Sequence, residues 1–206
     1  MLAYVASDAI DSLKLQPELD RDAASALAKK LFPSDVLEPI KDGDLSYTSP
    51  PDDELHIGCF PGIRIVAAKE FGIDYPSKLD AHFLEASDGR LIYLHAMHSV
   101  VDWFAFAIWE NGKLVRSLSL SPEDGILEDI GAKLPFELPF WAGENPALDP
   151  EEEQEYPLPF HPLDLGEAAL LALFGYQIEG FLDSNIVQPE LITLACYKRK
   201  KKGLKF

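Results

Sequence analysis

The dipeptide Asn111-Gly112 lies between two runs of apolar, aromatic and β-branched residues, and it constrains the fold more than any other feature of this sequence. A two-residue type I′ turn needs positive φ at both central positions, which Asn-Gly adopts readily. The dipeptide therefore predicts a tight β-hairpin. Counting outward from the turn pairs Glu110 with Lys113 and Ala107 with Arg116.

The segment before the hairpin extends it to a three-stranded meander. Residues 90–97 form the preceding strand, and the loop 98–101 joins it to the strand Trp103 to Trp109. That strand is apolar on both faces, which is typical of a strand in the middle of a covered sheet. We therefore predict an α+β fold with a mixed, mostly antiparallel sheet of about six or seven strands, a central meander at 90–121, and helices that cover the sheet.

Other elements follow from local signals. Asp20 or Asp22 caps a helix that Pro33 stops, and Asp164 with Glu167 resembles a capping box for a helix that Gly175 ends. A further helix is predicted at 76–86, and strands are predicted at 2–6, 36–40, 55–60, 63–68 and 191–197. The first strand, the first helix and the second strand predict a βαβ-like opening.

Length and composition indicate the class of protein. A chain of 206 residues predicts one domain, spanning 1–206, that can bury a core without disulfides. Cys59 and Cys196 lie far apart and lack metal-ligand spacing, so we expect two free thiols. The chain shows no signal peptide and no apolar run long enough to span a membrane, so we expect a cytoplasmic protein.

Charge is distributed unevenly along the chain. Six of the 18 Lys and Arg residues lie in the basic tail 197–206, so 12 remain against 35 Asp and Glu residues before it, a net charge of −23. A body this acidic repels nucleic acid and anionic membranes, and neither is an expected partner. We expect the tail to be held in place, as an edge strand whose lysines discourage edge-to-edge pairing.

The segment 133–163 contains seven prolines, an acidic run and several aromatic residues, among them Trp141. A connection this long without regular structure is commonly a binding loop or a lid. Its aromatic residues predict that it packs onto the body, and they make Trp141 a candidate binding residue.

Three histidines and an aspartate are the candidates for chemistry. His95 and His98, with His161 and Asp102, are residue types that bind zinc. However, strand positions three apart face opposite sides, so His95 and His98 converge only if the loop turns between them. We therefore expect ordinary hydrogen-bonded histidines, with no metal and no cofactor. Ser99, His98 and Asp102 are too close in sequence to be expected as a hydrolytic triad.

Arg116 is the most informative polar residue, because the predicted register places it beside Ala107 on an apolar face that includes Trp109. A buried guanidinium needs partners. The structural hypothesis is that it stacks on Trp109 and pairs with Glu128 or Asp129. The alternative is that it binds an anionic ligand in a pocket roofed by the segment 133–163.

Long stretches of this sequence resemble a family of uncharacterised bacterial proteins over roughly residues 1–175. They are LDRDAASALAKKLFP, GCFPG, YLHAMHSVVDWFAFAIWENGKLVRSLSLSPEDGILEDIG, LPFELPFWAGE and YPLPFHPLDLGEAALLALFG. The resemblance implies a single bacterial cytosolic domain, and it supplies no catalytic residue or ligand.

Two hypotheses of function remain open. The first is a non-catalytic, acidic binding or interaction protein, with a basic protein as its partner. The second is a hydrolase, metal-assisted or Arg-anchored, that acts on an anionic small molecule. They differ in whether Arg116, His95, His98, Asp102 and His161 converge in one open pocket.

Overall fold

A single large sheet forms the centre of the protein. The computed structural model describes residues 1–6, 9–148, 155–179, 183 and 185–201. The strands are β1 Leu2–Val5, β2 Asp35–Pro39, β3 Gly43–Asp44, β4 Glu54–Phe60, β5 Ile63–Ala67, β6 Leu91–His98, β7 Trp103–Glu110, β8 Lys113–Ser121, β9 Gly125–Ile130 and β10 Thr193–Lys201.

The strand order is β2-β10-β4-β5-β1-β6-β7-β8-β9, with β3 also paired to β10. The α+β class is confirmed, but the sheet is larger than predicted, with ten described strands, and every pair between them is antiparallel rather than mixed. The middle of the order is β1, and the meander β6-β7-β8 extends from it toward the edge strand β9. Four buried apolar residues in β1 explain its central position.

The βαβ-like opening is wrong. β1 pairs with β5 and β6, whereas β2 lies at the edge of the sheet beside β10. Three strands therefore separate β1 from β2. The physical reason is burial: β1 is apolar on both sides, while β2 carries Asp35 and Glu38 and is largely half-buried or exposed.

The hairpin register departs from the prediction at one β-bulge. Glu110 pairs with Lys113 as expected, but the register then shifts, and Arg116 pairs with Ile108 instead of Ala107. Val115 is the extra residue, and it is 43% exposed. A bulge re-aims the side chains that follow it. Arg116 consequently lies on the opposite face from Trp109, and its guanidinium carbon is 5.8 Å from the centre of the Phe106 ring.

Helices and short turns cover both faces. On one face, α1 (Arg21–Leu31) packs on β4, and Phe71, Leu79 and Phe83 join the same core. On the other face, α4 (Pro162–Phe174) packs on β6 and β7. The remaining helices are α2 Ala81–Glu85, α3 Leu138–Trp141 and the 3-10 turns Ile10–Leu15, Lys69–Phe71, Pro76–Lys78 and Pro189–Leu191.

The predicted helix ends are confirmed in part. Asp20 caps α1 by accepting a hydrogen bond from the Ala23 backbone, and Gly175 ends α4 at φ 75°. The residues 76–86 divide into a 3-10 turn and α2, because Asp80 starts α2 by accepting a bond from His82 N. The cap of α4 is His161 rather than Asp164, since Pro162 occupies the first helical position, where no N–H is needed.

The basic segment near the C-terminus is not at the edge. β10 lies between β2 and β4, so the edge-strand prediction is wrong, while the prediction that this segment is held in place is confirmed as far as Lys201. Its cations pair with acids of neighbouring elements: Arg199 binds Asp35 and Glu70, and Lys200 binds Glu38. Residues 202–206 of the tail lie outside the described part of the chain.

The segment 133–148 packs onto the sheet, as its aromatic residues predict. Phe136 lies 5.6 Å from Phe106, centre to centre, and Phe140 contacts Phe160 edge to face at 5.5 Å. Trp141 also packs edge to face on Phe160, at 4.9 Å. Residues 151–154 of the acidic run 151–155 fall outside the described residues. Within the described residues, no helix is both long and apolar enough to cross a membrane.

Candidate functional site

An open cleft of about 1150 Å³ lies at one end of the sheet, where β1 begins and where β6 and β8 end. Because neighbouring strands alternate in direction, this end collects turns and loops from distant parts of the sequence. The walls are formed by parts of the ranges 46–52, 68–74, 95–103, 121–124, 163–170 and 177–179.

The cleft is lined by seven carboxylates. Among the described residues that line it, Lys69 is the one lysine, and there is no arginine. Uncompensated charges of one sign on the walls of a cleft concentrate the field there and attract counter-ions. The cleft therefore favours cations and repels anions. The carboxylates belong to Asp52, Asp74, Glu123, Asp124, Asp164, Glu167 and Glu179.

Most of these carboxylates have no cationic partner in the described structure. Lys69 contacts Asp52 at 3.4 Å, and Asp124 accepts a bond from Ser121 Oγ at 3.1 Å. Asp74, Glu123 and Glu179 are exposed, and their side chains make no ion pair or hydrogen bond with any described residue. Their charges remain available to a ligand.

Glu167 lies half-buried in the cleft wall and orders the segment after α4. Its Oε2 atom accepts hydrogen bonds from the backbone N–H groups of Ile178, at 2.8 Å, and Glu179, at 3.3 Å. Burial raises the pKa of Glu167 above its usual range, and the nearby charges of Glu179 and Asp164 add to this, although the two hydrogen bonds oppose it. The Glu167 carboxylate thus holds the backbone of Ile178 and Glu179 in place and also adds to the negative charge of the cleft.

His95 lines the cleft and is only 4% exposed. Its Nε2 donates a hydrogen bond to the carbonyl oxygen of Gly166 in α4, at 2.9 Å. Burial lowers the pKa of His95 to about 3, so the ring is neutral at neutral pH. The backbone nitrogen of Met1 donates to the His95 carbonyl oxygen at 2.6 Å, and burial lowers the pKa of that amino group to about 5.

Trp103 contributes an unmatched donor to the wall of the cleft. The side chain is 9% exposed and lines the cleft. Its indole N–H has no hydrogen-bond acceptor within the described residues. A buried donor without an acceptor is unfavourable by about 1–3 kcal/mol. The Nε1 atom itself has almost no accessible surface, so this donor is enclosed by protein rather than presented to the cleft.

His161 and Asp102 form a pair beside the cleft rather than in it. The Nε2 of His161 lies 3.6 Å from Asp102 Oδ2. His161 Nδ1 accepts a bond from the Leu163 backbone N–H at 3.3 Å, and the Tyr156 ring stacks on the imidazole at 5.8 Å. Because Nδ1 is an acceptor, the proton of the neutral ring lies on Nε2 and faces Asp102. The lone pair on Nδ1 is therefore occupied by the Leu163 N–H, whereas the 3.6 Å between Nε2 and Asp102 is longer than a hydrogen bond.

Arg116 lies outside the cleft and is fully buried. Its Nε and Nη2 donate to the two oxygens of Glu137, at 2.9 and 2.6 Å, and Nη1 donates to Asp129 and to the Ile130 carbonyl. Burial acts against the charge, but the bonds to Glu137 and Asp129 outweigh it, and the pKa of Arg116 is raised. The predicted burial and the predicted bond to Asp129 are confirmed, whereas the stacking partner is Phe106 and not Trp109.

Glu137, which pairs with Arg116, also explains the position of Trp141. Glu137 also accepts bonds from the Leu134 backbone N–H, at 2.8 Å, and from the Trp141 indole, at 3.4 Å. Lys133 Nζ lies 4.4 Å from the centre of the Trp141 ring. Trp141 is therefore a packing residue of the segment 133–148, and it does not line the cleft.

Both cysteines are free and buried, as predicted. Burial raises the pKa of each thiol to about 11, so neither is a thiolate at neutral pH. His56 lies opposite Cys196 in the sheet, with its Nε2 3.4 Å from Glu54. No group of three or more His, Cys, Asp or Glu side chains in the described ranges is arranged to hold a metal ion.

Of the six residues singled out from the sequence, His95 and His98 line the cleft, while Arg116, Asp102, Trp141 and His161 do not. His95 and His98 lie three positions apart in β6 and face opposite sides, as strand geometry predicts. The carboxylates of the cleft were missed because they come from several loops and from α4, which lie far apart in sequence. The one signal that could have indicated them was the excess of acid over base before residue 197.

Comparison with known proteins identifies the family but not the activity. No curated protein matches the sequence, and no solved structure matches it. The model of a family of unknown function (DUF6928) matches residues 1–197, and the match ends within β10. The chain therefore belongs to the DUF6928 family.

Proposed function

We propose that this protein is a non-catalytic binding protein whose acidic cleft accepts a positively charged partner, a basic protein. The observation that carries the proposal is the open cleft of about 1150 Å³ with seven carboxylates and Lys69 as its one lysine among the described residues. Complementary charge speeds encounter with a basic partner and rejects acidic ones. A cytoplasmic location is part of the same proposal.

The polar groups near the cleft support binding over catalysis. His95 is buried, neutral and bonded to Gly166, and its low pKa makes it a poor base. The Nδ1 atom of His161 accepts the capping bond from Leu163 N–H, and its Nε2 lies 3.6 Å from Asp102. A general base needs a lone pair within reach of a substrate. His95 is only 4% exposed, and the Nδ1 lone pair of His161 accepts the backbone bond, so neither of these two rings presents one to the cleft.

The alternative hypothesis, a hydrolase that acts on an anionic small molecule, has less support. Arg116, its proposed anchor, is 0% exposed, and its donors bind Glu137, Asp129 and backbone carbonyls. An anion would also enter a cleft lined by carboxylates against the local potential.

The test uses a fluorescently labelled lysine-rich peptide and two matched triple variants. The first variant neutralises unpaired cleft carboxylates: Asp74→Asn, Glu123→Gln and Glu179→Gln. The control neutralises three exposed carboxylates that do not line the cleft and have no described partner: Glu18→Gln, Glu85→Gln and Glu144→Gln. Both variants have the same net charge, so a difference between them reports position and not total charge.

We expect the cleft variant to bind the peptide about tenfold more weakly than the wild type, with the control changed much less. The affinity of the wild type should fall as salt rises, because the cleft is open to solvent. Equal weakening in the two variants would show that the peptide senses only net charge and would overturn the proposal. Tight binding of a labelled anionic phosphate compound in the cleft would favour the hydrolase hypothesis instead.

A further inference from the structure

The pair Cys196 and His56 lies outside the residues that line the acidic cleft. We infer that these two side chains form a binding site for a soft metal ion that needs few ligands, and that Cu(I) is the ion the site fits best. The inference is independent of the proposed function. It rests on the placement of the two side chains, on an unused lone pair and on the chemistry of the ligand set.

Cys196 and His56 lie side by side on one face of the sheet. They are direct partners across the antiparallel strands β10 and β4. Directly opposed residues point to the same face and have their Cβ atoms about 4.5–5.5 Å apart. Metal bonds to sulfur and to imidazole nitrogen are each about 2.0–2.3 Å long. One metal ion can therefore contact both side chains without a change in the pairing of the strands.

Gly43 marks the point at which the two side chains converge. A Cβ atom at this position would lie 3.2 Å from Cys196 Sγ and 3.9 Å from His56 Nδ1. The sulfur and the ring nitrogen therefore face the same point beside the Gly43 backbone. Because position 43 is a glycine, no side chain occupies that point.

The Nδ1 atom of His56 is an unused ligand atom. The Nε2 atom makes a long hydrogen bond of 3.4 Å to Glu54 Oε2, so the proton of the neutral ring lies on Nε2. The bare lone pair on Nδ1 is buried and has no hydrogen-bond partner among the described residues. The Cys196 thiol does not supply one, because it donates to the Leu194 carbonyl oxygen at 3.6 Å. Histidines that bind metals commonly hold a carboxylate with their other nitrogen, as His56 holds Glu54.

The ligand pair selects the kind of ion. Thiolate is a soft ligand that favours Cu(I), and imidazole also suits copper. A structural zinc site needs four ligands, and no third His, Cys, Asp or Glu side chain completes a metal site here in the described part of the chain. Cu(I) is stable with two ligands in line. Binding breaks the S–H bond, forms a bond from sulfur to copper and releases the proton to solvent, and no electron is transferred.

The surroundings of Cys196 favour a cation. Burial raises the pKa of the Cys196 thiol to about 11, a backbone bond from Gly43 opposes this rise, and the charges of Asp42, Glu54 and Asp44 add to it. The same three carboxylates stabilise a positive ion beside the sulfur. A thiol that coordinates a metal ion is deprotonated despite such a raised pKa.

Tyr47 connects the pair to the acidic cleft. Its ring lies 6.1 Å from the His56 ring, centre to centre. Tyr47 is 53% exposed and lines the cleft, where the carboxylates concentrate cations. A cation in the cleft is therefore one side chain away from the His56 ring.

The experiment titrates the protein with Cu(I), kept reduced by ascorbate and supplied as its coloured complex with bathocuproine disulfonate. Loss of the colour reports transfer of copper to the protein, and we expect one Cu(I) per chain. Cys196→Ser and His56→Gln should each weaken binding at least about tenfold. The matched control is Cys59→Ser, which removes the other buried thiol. Cys59 lies opposite Arg64 rather than a histidine, so this variant should keep the affinity of the wild type.

Two further measurements keep the inference testable should Cys196→Ser or His56→Gln fold poorly. Gly43→Ala keeps both ligands and places a methyl group where they converge, so it should weaken Cu(I) binding and leave the circular dichroism spectrum unchanged. X-ray absorption of the wild type loaded with Cu(I) should show one sulfur and one nitrogen bound to copper.

Each outcome supports or overturns the inference. It is overturned if Cys59→Ser loses as much affinity as Cys196→Ser, or if His56→Gln binds Cu(I) as tightly as the wild type. Copper with two sulfur neighbours, or with none, would overturn it as well. The acidic cleft is tested separately by the peptide titration, so either proposal can fail while the other stands.

Discussion

Replacement of Arg116 by alanine is the sharpest test of how the segment 133–148 is held to the sheet. Arg116 and Glu137 are each 0% exposed, and the guanidinium makes two bonds to that carboxylate, at 2.9 and 2.6 Å. Removing the cation leaves Glu137 buried without its counter-charge, and breaking a buried pair in this way costs about 3–5 kcal/mol. Asp129 adds little, because it is one-third exposed and solvent compensates its charge.

The loss is large compared with the total stability of a domain, which is about 5–15 kcal/mol. For a chain of this size, each kcal/mol lowers the melting temperature by about 2–4 °C, so Arg116→Ala should lower it by roughly 6–20 °C. Urea unfolding, followed by circular dichroism, gives the free energy directly. Arg116→Lys should recover only part of the loss, since an ammonium cannot reproduce the bidentate geometry.

Two further variants check the reasoning. Arg21→Ala breaks an ion pair with Asp42 in which the Arg21 side chain is 62% exposed, and its unfolding midpoint should stay close to that of the wild type. The double variant Arg116→Met, Glu137→Met should lose less than Arg116→Ala alone, because it leaves no unpaired buried charge. If Arg116→Ala were no more harmful than Arg21→Ala, the cost assigned to the buried pair would be refuted.

Three other predictions concern titratable groups. The pKa of His95 falls from 6.5 to about 3 on folding, so its contribution to stability is present above pH 6.5 and is lost as pH falls. Between pH 7 and 5 the loss in the free energy of unfolding is on the order of 2 kcal/mol. In urea titrations, the free energy of unfolding of His95→Gln should therefore change by that much less than the wild type's between these two pH values. The raised pKa of Glu167 has the opposite effect on stability, because its charged form lowers stability as pH rises above the ordinary range near 4.5. Glu167→Gln should be at least as stable as the wild type at pH 7. A stability difference between the two proteins that persists below pH 4 would contradict this. Both thiols have pKa values of about 11 and should react with a disulfide reagent at pH 8 only after unfolding. Fast labelling of the native protein would show that the thiols are accessible in the folded state.

Local signals in the sequence predicted the elements that depend on neighbouring residues. Asn111 and Gly112 both have positive φ, as a tight turn requires, and Asp20 and Gly175 mark helix ends that short-range hydrogen bonds define. The strand pairs β4-β5 and β6-β7-β8 also follow, since short connections favour antiparallel neighbours. The burial of Arg116 was predicted from the apolar residues that alternate around it.

Tertiary structure decided what depends on residues far apart in the chain. The bulge at Val115 turns Arg116 toward Glu137, which lies 21 positions later and whose role no local pattern indicates. β10 enters the sheet between β2 and β4, where its residues Leu194 to Tyr197 are buried and Arg199 meets Asp35 and Glu70 from distant parts of the chain. The cleft has the same origin: its carboxylates extend from Asp52 to Glu179 along the chain and meet only because alternating strands bring their loops to one end of the sheet.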